Sequence, residues 1–285
     1  MDKKLYKDYI KVDSDFIPVF SRNSDKIYPN KWQSFYPHDT FKSILVSLVE
    51  TLEQSSEQKN KSLWMSGAYG TGKTYASFTL KHILEDDISS IESYFHANKL
   101  DSVLTRLKGV RAKGDILVVH KSADSNLNTQ NKLFNSIVES VKEALNNKYS
   151  DPYLGKESLI EKVLTIIKDP YSPFNFEAAF NKYKSRFPEY TKPKEIIEDL
   201  ETLDLDSKLS IIETIMGIAE ELNYNWTTTA AETINWLDDV IKRNNLHSIV
   251  FIWDEFTEYF KNNVNNITGL QEIAMASSAI SFYFF

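Results

Sequence analysis

The feature that most restricts how this chain can fold is a glycine-rich segment running from Gly67 to Thr74. The chain contains only 8 glycines, and Gly67, Gly70 and Gly72 lie within this one segment. A short apolar stretch precedes it, and a helix is predicted to begin at Lys73. Glycine lets a backbone turn sharply between two regular elements. The segment therefore predicts a strand, a loop and a helix in succession, as at the start of an α/β fold.

The positions of the glycines and the lysine match the pattern G-x-x-x-x-G-K-[ST] at every fixed position. In such a loop, backbone N–H groups approach a polyphosphate, and the N-terminus of the following helix adds partial positive charge. We expect Lys73 to contact the β- and γ-phosphates of ATP and the Thr74 hydroxyl to ligate Mg²⁺. The alternative is a tight turn with an incidental lysine. The predicted nucleotide-binding residues are Gly67, Ala68, Tyr69, Gly70, Thr71, Gly72, Lys73, Thr74 and Tyr75.

A phosphate loop of this kind requires an acidic partner at the end of another strand. The apolar run from Ile249 to Trp253 predicts a buried strand, and Asp254 and Glu255 follow it directly. Asp254 is predicted to hold Mg²⁺ through a water molecule, and Glu255 to polarise the attacking water. By themselves the two acids could equally cap a helix. With the upstream loop, Lys73 and Glu255 become the predicted catalytic residues.

The segments GAYGTGKT and IVFIWDEF together resemble the additional-strand class of P-loop ATPases, which includes the AAA+ proteins. Within that class the chain is similar to initiator-like and bacterial phage-defence ATPases. The resemblance covers residues 39–147 and 231–285. It implies an α/β fold, namely a P-loop NTPase three-layer core with a mostly parallel sheet. It also implies a module that works in a larger assembly, possible settings being antiviral defence and DNA-associated complexes.

The spacing of the motifs and the prolines divides the chain into units. Lys73 and Asp254 are 181 residues apart (254 − 73), more than a compact core needs, and all 8 prolines lie outside residues 38–151 and 194–285. A helical insertion between the Walker A strand, before Gly67, and the Walker B strand, before Asp254, explains both observations. The predicted units are an N-terminal arm (1–38), a first part of the ATPase core (39–148), the helical insertion (149–230) and a second part of the core (231–285).

Hydrophobic periodicity supplies the coarse secondary structure. Helices are predicted at about 39–51, 73–84, 88–107, 131–145, 234–241 and 270–279, and strands at 63–65, 116–119, 249–253 and 280–285. The resemblance implies a polar sensor residue, a helical lid and a subunit-bridging arginine after the last strand. Because the sequence ends at Phe285, we expect a truncated core without the lid, and weak hydrolysis by this chain alone.

Composition excludes other kinds of chemistry. The chain has 0 cysteines, which rules out disulfides, thiolate metal sites and cysteine nucleophiles and fits a cytoplasmic protein. Its five histidines lack metal-ligand spacing. The N-terminus has no apolar core typical of a secretory signal, and no apolar run is long enough to span a membrane.

Charge does not support a nucleic-acid partner. Residues 1–150 carry 21 basic and 18 acidic side chains, and residues 151–285 carry 12 and 22, giving net charges of +3 and −10. DNA binding stays possible through a local basic cluster of Arg106, Lys108, Arg111 and Lys113, but a solvated loop before a strand is the preferred interpretation.

Three functions remain open. The preferred one is an ATPase that drives a conformational change, with protein partners or further copies of itself. A nucleotide kinase is disfavoured by the position of the phosphate loop and by Asp254 and Glu255. A non-hydrolysing, ATP-gated interaction module that recruits partners through residues 149–230 is the third, although that segment could be purely structural. Tyr36, Pro37 and His38 either lie near the adenine or pack in the core.

Overall fold

The computed structural model describes residues 20–53, 62–68, 70–122, 127, 129–155, 159–224, 229–262, 268–276 and 279–285. In this part the chain is an α/β protein whose small parallel sheet lies between two layers of helices. The helices before the sheet's first strand are α1 (Arg22–Ile27), α2 (Asp39–Glu53), α3 (Lys73–Glu85), α4 (Ile88–Ala97) and α5 (Asp101–Arg111). The elements that follow are β1 (Asp115–Lys121), α6 (Gln130–Lys148), α7 (Leu159–Lys168), α8 (Phe176–Lys182), α9 (Pro193–Thr202), α10 (Leu205–Glu221), α11 (Ala230–Arg243), β2 (Leu246–Trp253), α12 (Phe256–Asn262), α13 (Thr268–Ala276) and β3 (Phe282–Phe284).

The described strands form a three-stranded sheet in the order β1-β2-β3, with both pairs parallel. On the far side of β3, Ser62 forms a single parallel bridge with Phe284, and the Leu63 N–H donates to the Phe284 carbonyl at 3.0 Å. The chain before Gly67 therefore runs beside β3, and β3 separates it from β2.

Each strand contributes side chains to two hydrophobic clusters, because successive residues of a strand point to opposite faces. One face packs with α2, α3, α4 and α5; its strand residues are Ile116, Val118, Val250, Ile252 and Tyr283. The other face packs with α6, α11, α13 and the helices of residues 149–230; its strand residues are Leu117, Val119, Leu246, Ile249, Phe251, Trp253 and Phe282. Helices cover both faces, which explains why β1 and β2 read as unbroken apolar runs.

The helices between residues 149 and 230 extend this second cluster. Phe180, Leu200 and Ile215 belong to the same cluster of buried residues as Leu117 and Phe251. Helix α10 packs against α6, and α7 packs against α9 and α10. The segment that was predicted as an insertion therefore shares its core with one face of the sheet.

The outer edge of β1 is covered by side chains. The Val118 N–H donates to Glu85 Oε1 at 2.8 Å, and Lys148 Nζ donates to the Ile116 carbonyl at 2.6 Å. Lys148 and Glu85 also form an ion pair at 3.4 Å. An open strand edge can pair with another chain. The ion pair blocks this by satisfying one donor and one acceptor of the edge.

Two predicted elements differ from the structure. Residues 63–65 do not form a regular strand; only Ser62 bridges to β3, whose three residues give a neighbour little length to pair with. The predicted helix at 88–107 is two helices, α4 and α5, because Lys99 adopts a left-handed φ of 58°. The other predicted helices and strands are confirmed, with ends that shift by a few residues, and α12 is an additional short helix.

The N-terminal arm is attached to α3 through a buried histidine. His82 Nε2 lies 2.8 Å from Asp25 Oδ1, and His82 Nδ1 lies 2.8 Å from Asp86 Oδ2. The Trp32 ring stacks on His82 with centroids 5.3 Å apart. Burial lowers the pKa of His82, but the hydrogen bonds and charges of Asp25 and Asp86 outweigh it and hold the pKa above its ordinary value.

We predict that this contact makes stability depend on pH. A raised folded-state pKa contributes stability that is complete below about pH 6.5 and is lost as the pH rises through the folded-state value. The free energy of unfolding should fall over that range, and His82→Gln should remove this slope. Urea unfolding across a pH series measures it.

A second variant, Asp86→Asn, removes one of the two carboxylates that raise the pKa of His82. It should reduce the slope without abolishing it. If the free energy of unfolding of His82→Gln depended on pH as it does in the wild type, His82 would not be the group that couples stability to pH.

Candidate functional site

The glycine-rich loop has a backbone shape that requires two of its glycines. Gly70 and Gly72 have φ angles of 80° and 82°, in the left-handed region that other residues rarely adopt. Gly72 immediately precedes α3. A Cβ atom at either position would meet no atom within 4 Å, so backbone conformation, not space, requires glycine there.

Polar groups of this loop converge on its own carbonyls. Lys73 Nζ donates to the carbonyls of Gly67 and Ala68, at 2.9 Å each. Thr71 Oγ1 donates to the Ala68 carbonyl at 2.8 Å. Helix α3 begins at Lys73, so N–H groups of its first turn have no partner within the helix. The loop therefore places an ammonium group and backbone donors together. Tyr69 lies outside the described residues.

The two acids after β2 are held by the neighbouring strand. The Asp254 N–H donates to the Lys121 carbonyl at 2.8 Å, and Asp254 is only 9% exposed. Its Oδ1 accepts the Glu255 N–H at 3.0 Å. Glu255 has a left-handed φ of 56°, which is uncommon outside glycine and costs free energy. The chain bends sharply at this point, and Glu255 is exposed.

One pocket of about 260 Å³ joins the loop and the acids. Gly67 and Lys73 line it from the loop, and Asp254 and Glu255 line it from the end of β2. The structure thus brings together residues that lie far apart in the sequence. Thr74 is half-buried on the first turn of α3 and is not among the described residues that line this pocket.

Aromatic side chains form a large part of the remaining pocket wall, and no motif in the sequence predicted them. Trp64 and Phe256 meet edge to face with centroids 5.0 Å apart, and Trp253 lies 5.3 Å from Phe256. Phe284 and Phe285 also line the pocket. The available signal was position: Trp64 stands three residues before Gly67, and Trp253 and Phe256 flank the two acids.

Other residues that the sequence suggested for the site contact the N-terminal arm and α2. The Tyr75 hydroxyl donates to the Lys31 carbonyl at 2.5 Å, and its ring stacks on Phe20 at 4.3 Å. Tyr36 is 77% exposed. His38 Nδ1 accepts the Phe41 N–H at 3.3 Å, at the start of α2.

The basic cluster at residues 106–113 lies on α5 and just after it, where the sequence analysis expected a loop. Helix α5 forms because its apolar residues are spaced to pack into the core. Arg106 pairs with Glu50 at 3.0 Å and with Glu53 at 2.5 Å, and Lys108 pairs with Glu92 at 2.6 Å. The partners of the other two cations are the carbonyls of Glu85 and Asp86 for Arg111 and of Glu53 for Lys113. All four cations serve tertiary contacts.

No family model matches the chain, and no curated protein or solved structure matches it either. Across the described ranges, no helix combines the length and the hydropathy that a bilayer crossing requires. Functional conclusions therefore rest on the motifs and on the geometry of the pocket.

We predict that Gly72→Ala destabilises the chain by about 1–2 kcal/mol, because alanine is strained in the left-handed region. Gly109→Ala is the matched control: Gly109 lies in α5 with nothing within 4 Å of an added Cβ. That change should stabilise the chain by up to about 1 kcal/mol, through helix propensity. Urea unfolding compares the two. Equal stabilities of Gly72→Ala and wild type would contradict the described loop conformation.

Proposed function

We propose that this chain is a P-loop ATPase module that binds ATP with Mg²⁺, hydrolyses it and couples the nucleotide state to a conformational change in a larger assembly. The observation that carries the proposal is the shared pocket. Lys73, at the start of α3, and Asp254 and Glu255, at the end of β2, line the same cavity. P-loop NTPases combine a lysine of the glycine loop with an acid that holds Mg²⁺ and a residue that orients the attacking water.

The strand order supports the finer fold proposal, a P-loop NTPase three-layer core with a helical insertion. The chain before Gly67 pairs with β3, and β3 separates it from β2, which ends at the acids. β3 is therefore an additional strand between the chain before Gly67 and β2, as expected for the additional-strand class that the motifs resemble.

The loop's chemistry fits a polyphosphate. Lys73 now donates to the neutral carbonyls of Gly67 and Ala68, and phosphate oxygens are stronger acceptors because they are charged. Lys73 can therefore exchange these partners for the β- and γ-phosphates. The first-turn N–H groups of α3 and the partial positive charge of its N-terminus favour an anion at the same place.

The oxygen ligands near the loop also suit Mg²⁺. Among the described residues no group of three or more His, Asp or Glu side chains could hold a metal ion. Mg²⁺ bound with a nucleotide needs only one or two carboxylates, since phosphates and water complete its shell. Asp254 would contribute through a water molecule and Thr74 through its hydroxyl. Mg²⁺, when bound, neutralises charge on the phosphates.

Glu255 is the residue we assign to water activation. It is exposed at the pocket, directly after the buried Asp254, and a carboxylate there can hold a water molecule and accept its proton. Asp254 fixes the backbone of Glu255 through the 3.0 Å hydrogen bond. The two acids therefore have different tasks. Asp254 positions Glu255, and Glu255 accepts the proton of the attacking water.

A non-hydrolysing, ATP-gated interaction module is the second candidate. It is favoured by the core that the helices of residues 149–230 share with β1 and β2, since a shift at the pocket would reach those helices through packed side chains. For either candidate, we propose a protein partner or a second copy as the target and the cytoplasm as the location. The resemblance makes antiviral and DNA-associated complexes the first assemblies to test.

We predict that ATP with Mg²⁺ raises the thermal midpoint of unfolding, since a ligand at 100 times its Kd stabilises the folded state by about 2.7 kcal/mol. Lys73→Ala should remove most of this rise in a thermal scan. Lys194→Ala is the control, because it deletes the same charge from an exposed lysine that pairs with Glu198 on its own helix. An unchanged rise in Lys73→Ala would refute the assigned role of the loop.

We also predict that Glu255→Gln keeps nucleotide affinity and abolishes hydrolysis, because glutamine preserves size but cannot accept the water's proton. Asp254→Asn should instead weaken the dependence of binding on Mg²⁺. Phosphate release and equilibrium nucleotide binding are the two measurements. Loss of binding in Glu255→Gln together with unchanged Mg²⁺ dependence in Asp254→Asn would mean that the two roles are reversed.

A further inference from the structure

A partly buried hydrogen-bond chain links the end of β1 to the first turn of α3. His120, on β1, has its Nε2 atom 2.9 Å from Ser77 Oγ. Ser77 Oγ donates its proton to the Thr74 carbonyl at 2.8 Å. The His120 ring also stacks on Phe78, with centroids 4.0 Å apart. The strand is thus connected through one serine to Thr74, the hydroxyl residue of the proposed Mg²⁺ site.

The chain of donors determines the tautomer of His120. A hydroxyl has a single proton, and Ser77 gives its proton to Thr74, so Ser77 must accept a hydrogen bond from His120 Nε2–H. His120 Nδ1 then carries no proton, and it is buried without a partner among the described atoms. Burial lowers the pKa of His120 to about 4, which keeps the ring neutral near pH 7.

The next residue of β1 holds the other half of the site. The Lys121 carbonyl accepts the Asp254 N–H at 2.8 Å. Two adjacent residues, His120 and Lys121, therefore connect β1 to the helix that carries Thr74 and to the acid that follows β2. Their contacts set the separation of the two proposed metal ligands.

A purely structural role explains His120 poorly. Phenylalanine would keep the stack on Phe78 and would leave no buried nitrogen without a partner, so stability alone would favour it. Residues that cost stability are expected where function requires them. The feature that histidine supplies and phenylalanine lacks is the Nε2–H bond to Ser77.

We propose that His120 is a positioning residue for the Mg²⁺ site: through Ser77 it holds the first turn of α3 at a fixed distance from Asp254. The inference rests on the proposed nucleotide-binding function. It predicts that His120 governs how Mg²⁺ strengthens nucleotide binding and does not govern the contact between the loop and the nucleotide itself.

The test is a binding titration of a fluorescent ATP analogue at increasing Mg²⁺ concentrations, and again with EDTA. For His120→Phe we expect the Mg²⁺ concentration at half-effect to rise by roughly tenfold, as for other residues that orient metal ligands. Affinity in EDTA should be unchanged, and the thermal midpoint should be equal or higher. Ser77→Ala should raise the half-effect concentration similarly, and the double variant should show no further rise, because both changes break one chain.

Two further variants separate positioning from general packing. His120→Gln keeps an N–H donor and should restore much of the Mg²⁺ dependence. His247→Phe is the matched control, because His247 also connects a strand to a helix, through the Leu52 carbonyl at 2.9 Å, and its substitution should change nothing in the titration. A wild-type Mg²⁺ dependence in His120→Phe, or an equal loss of affinity with and without Mg²⁺, would overturn the inference. A wild-type chain that binds no nucleotide would overturn the proposed function instead.

Discussion

The parallel pairing of β1 with β2 is the interaction on which the rest of the structure depends. Parallel strands end at the same edge of a sheet, so the chain leaving β1 and the chain leaving β2 emerge side by side. The last contact of this pair, from the Asp254 N–H to the Lys121 carbonyl, fixes the first acid of the pocket. On the other side of β2, β3 places the chain before Gly67 at the same edge. The loop and the acids meet because the strands beneath them are in register.

Several local costs lie near the ends of β1 and β2. Glu255, Gly70 and Gly72 adopt left-handed conformations, and His120 keeps a buried nitrogen without a partner in the described structure. Strained backbone of this kind costs about 1–3 kcal/mol per non-glycine residue. Similar costs occur elsewhere in the described chain: Lys99, Asn223 and Asn245 also have left-handed φ angles, and Trp32 Nε1 and Ser248 Oγ are also buried without a partner among the described atoms. What distinguishes the pocket is that Glu255 shares it with Lys73 and Asp254.

Much of the fold could be predicted because its signals are local. The apolar spacing of α2 and α6 and the apolar runs of β1 and β2 reflect which faces are buried, and the glycine pattern reflects the loop's backbone. What escaped prediction depends on contacts between distant segments. The break before Lys99 has only one local signal, Asn98, whose side chain donates to the Tyr94 carbonyl. The spacing of Arg106 and Lys108 gives no hint of their partners Glu50 and Glu92. The bond between His120 and Ser77 joins residues 43 positions apart.

The proposed function requires that the glycine-rich loop and the two acids form one phosphate-binding site. The most direct test is a crystal structure of this chain with Mg²⁺ and a non-hydrolysable ATP analogue. We expect Lys73 Nζ to leave the Gly67 and Ala68 carbonyls for the β- and γ-phosphates. We expect Mg²⁺ to be held by the Thr74 hydroxyl and, through a water molecule, by the Asp254 carboxylate. An analogue bound elsewhere, or phosphates at the loop with the metal remote from Asp254, would contradict this proposal.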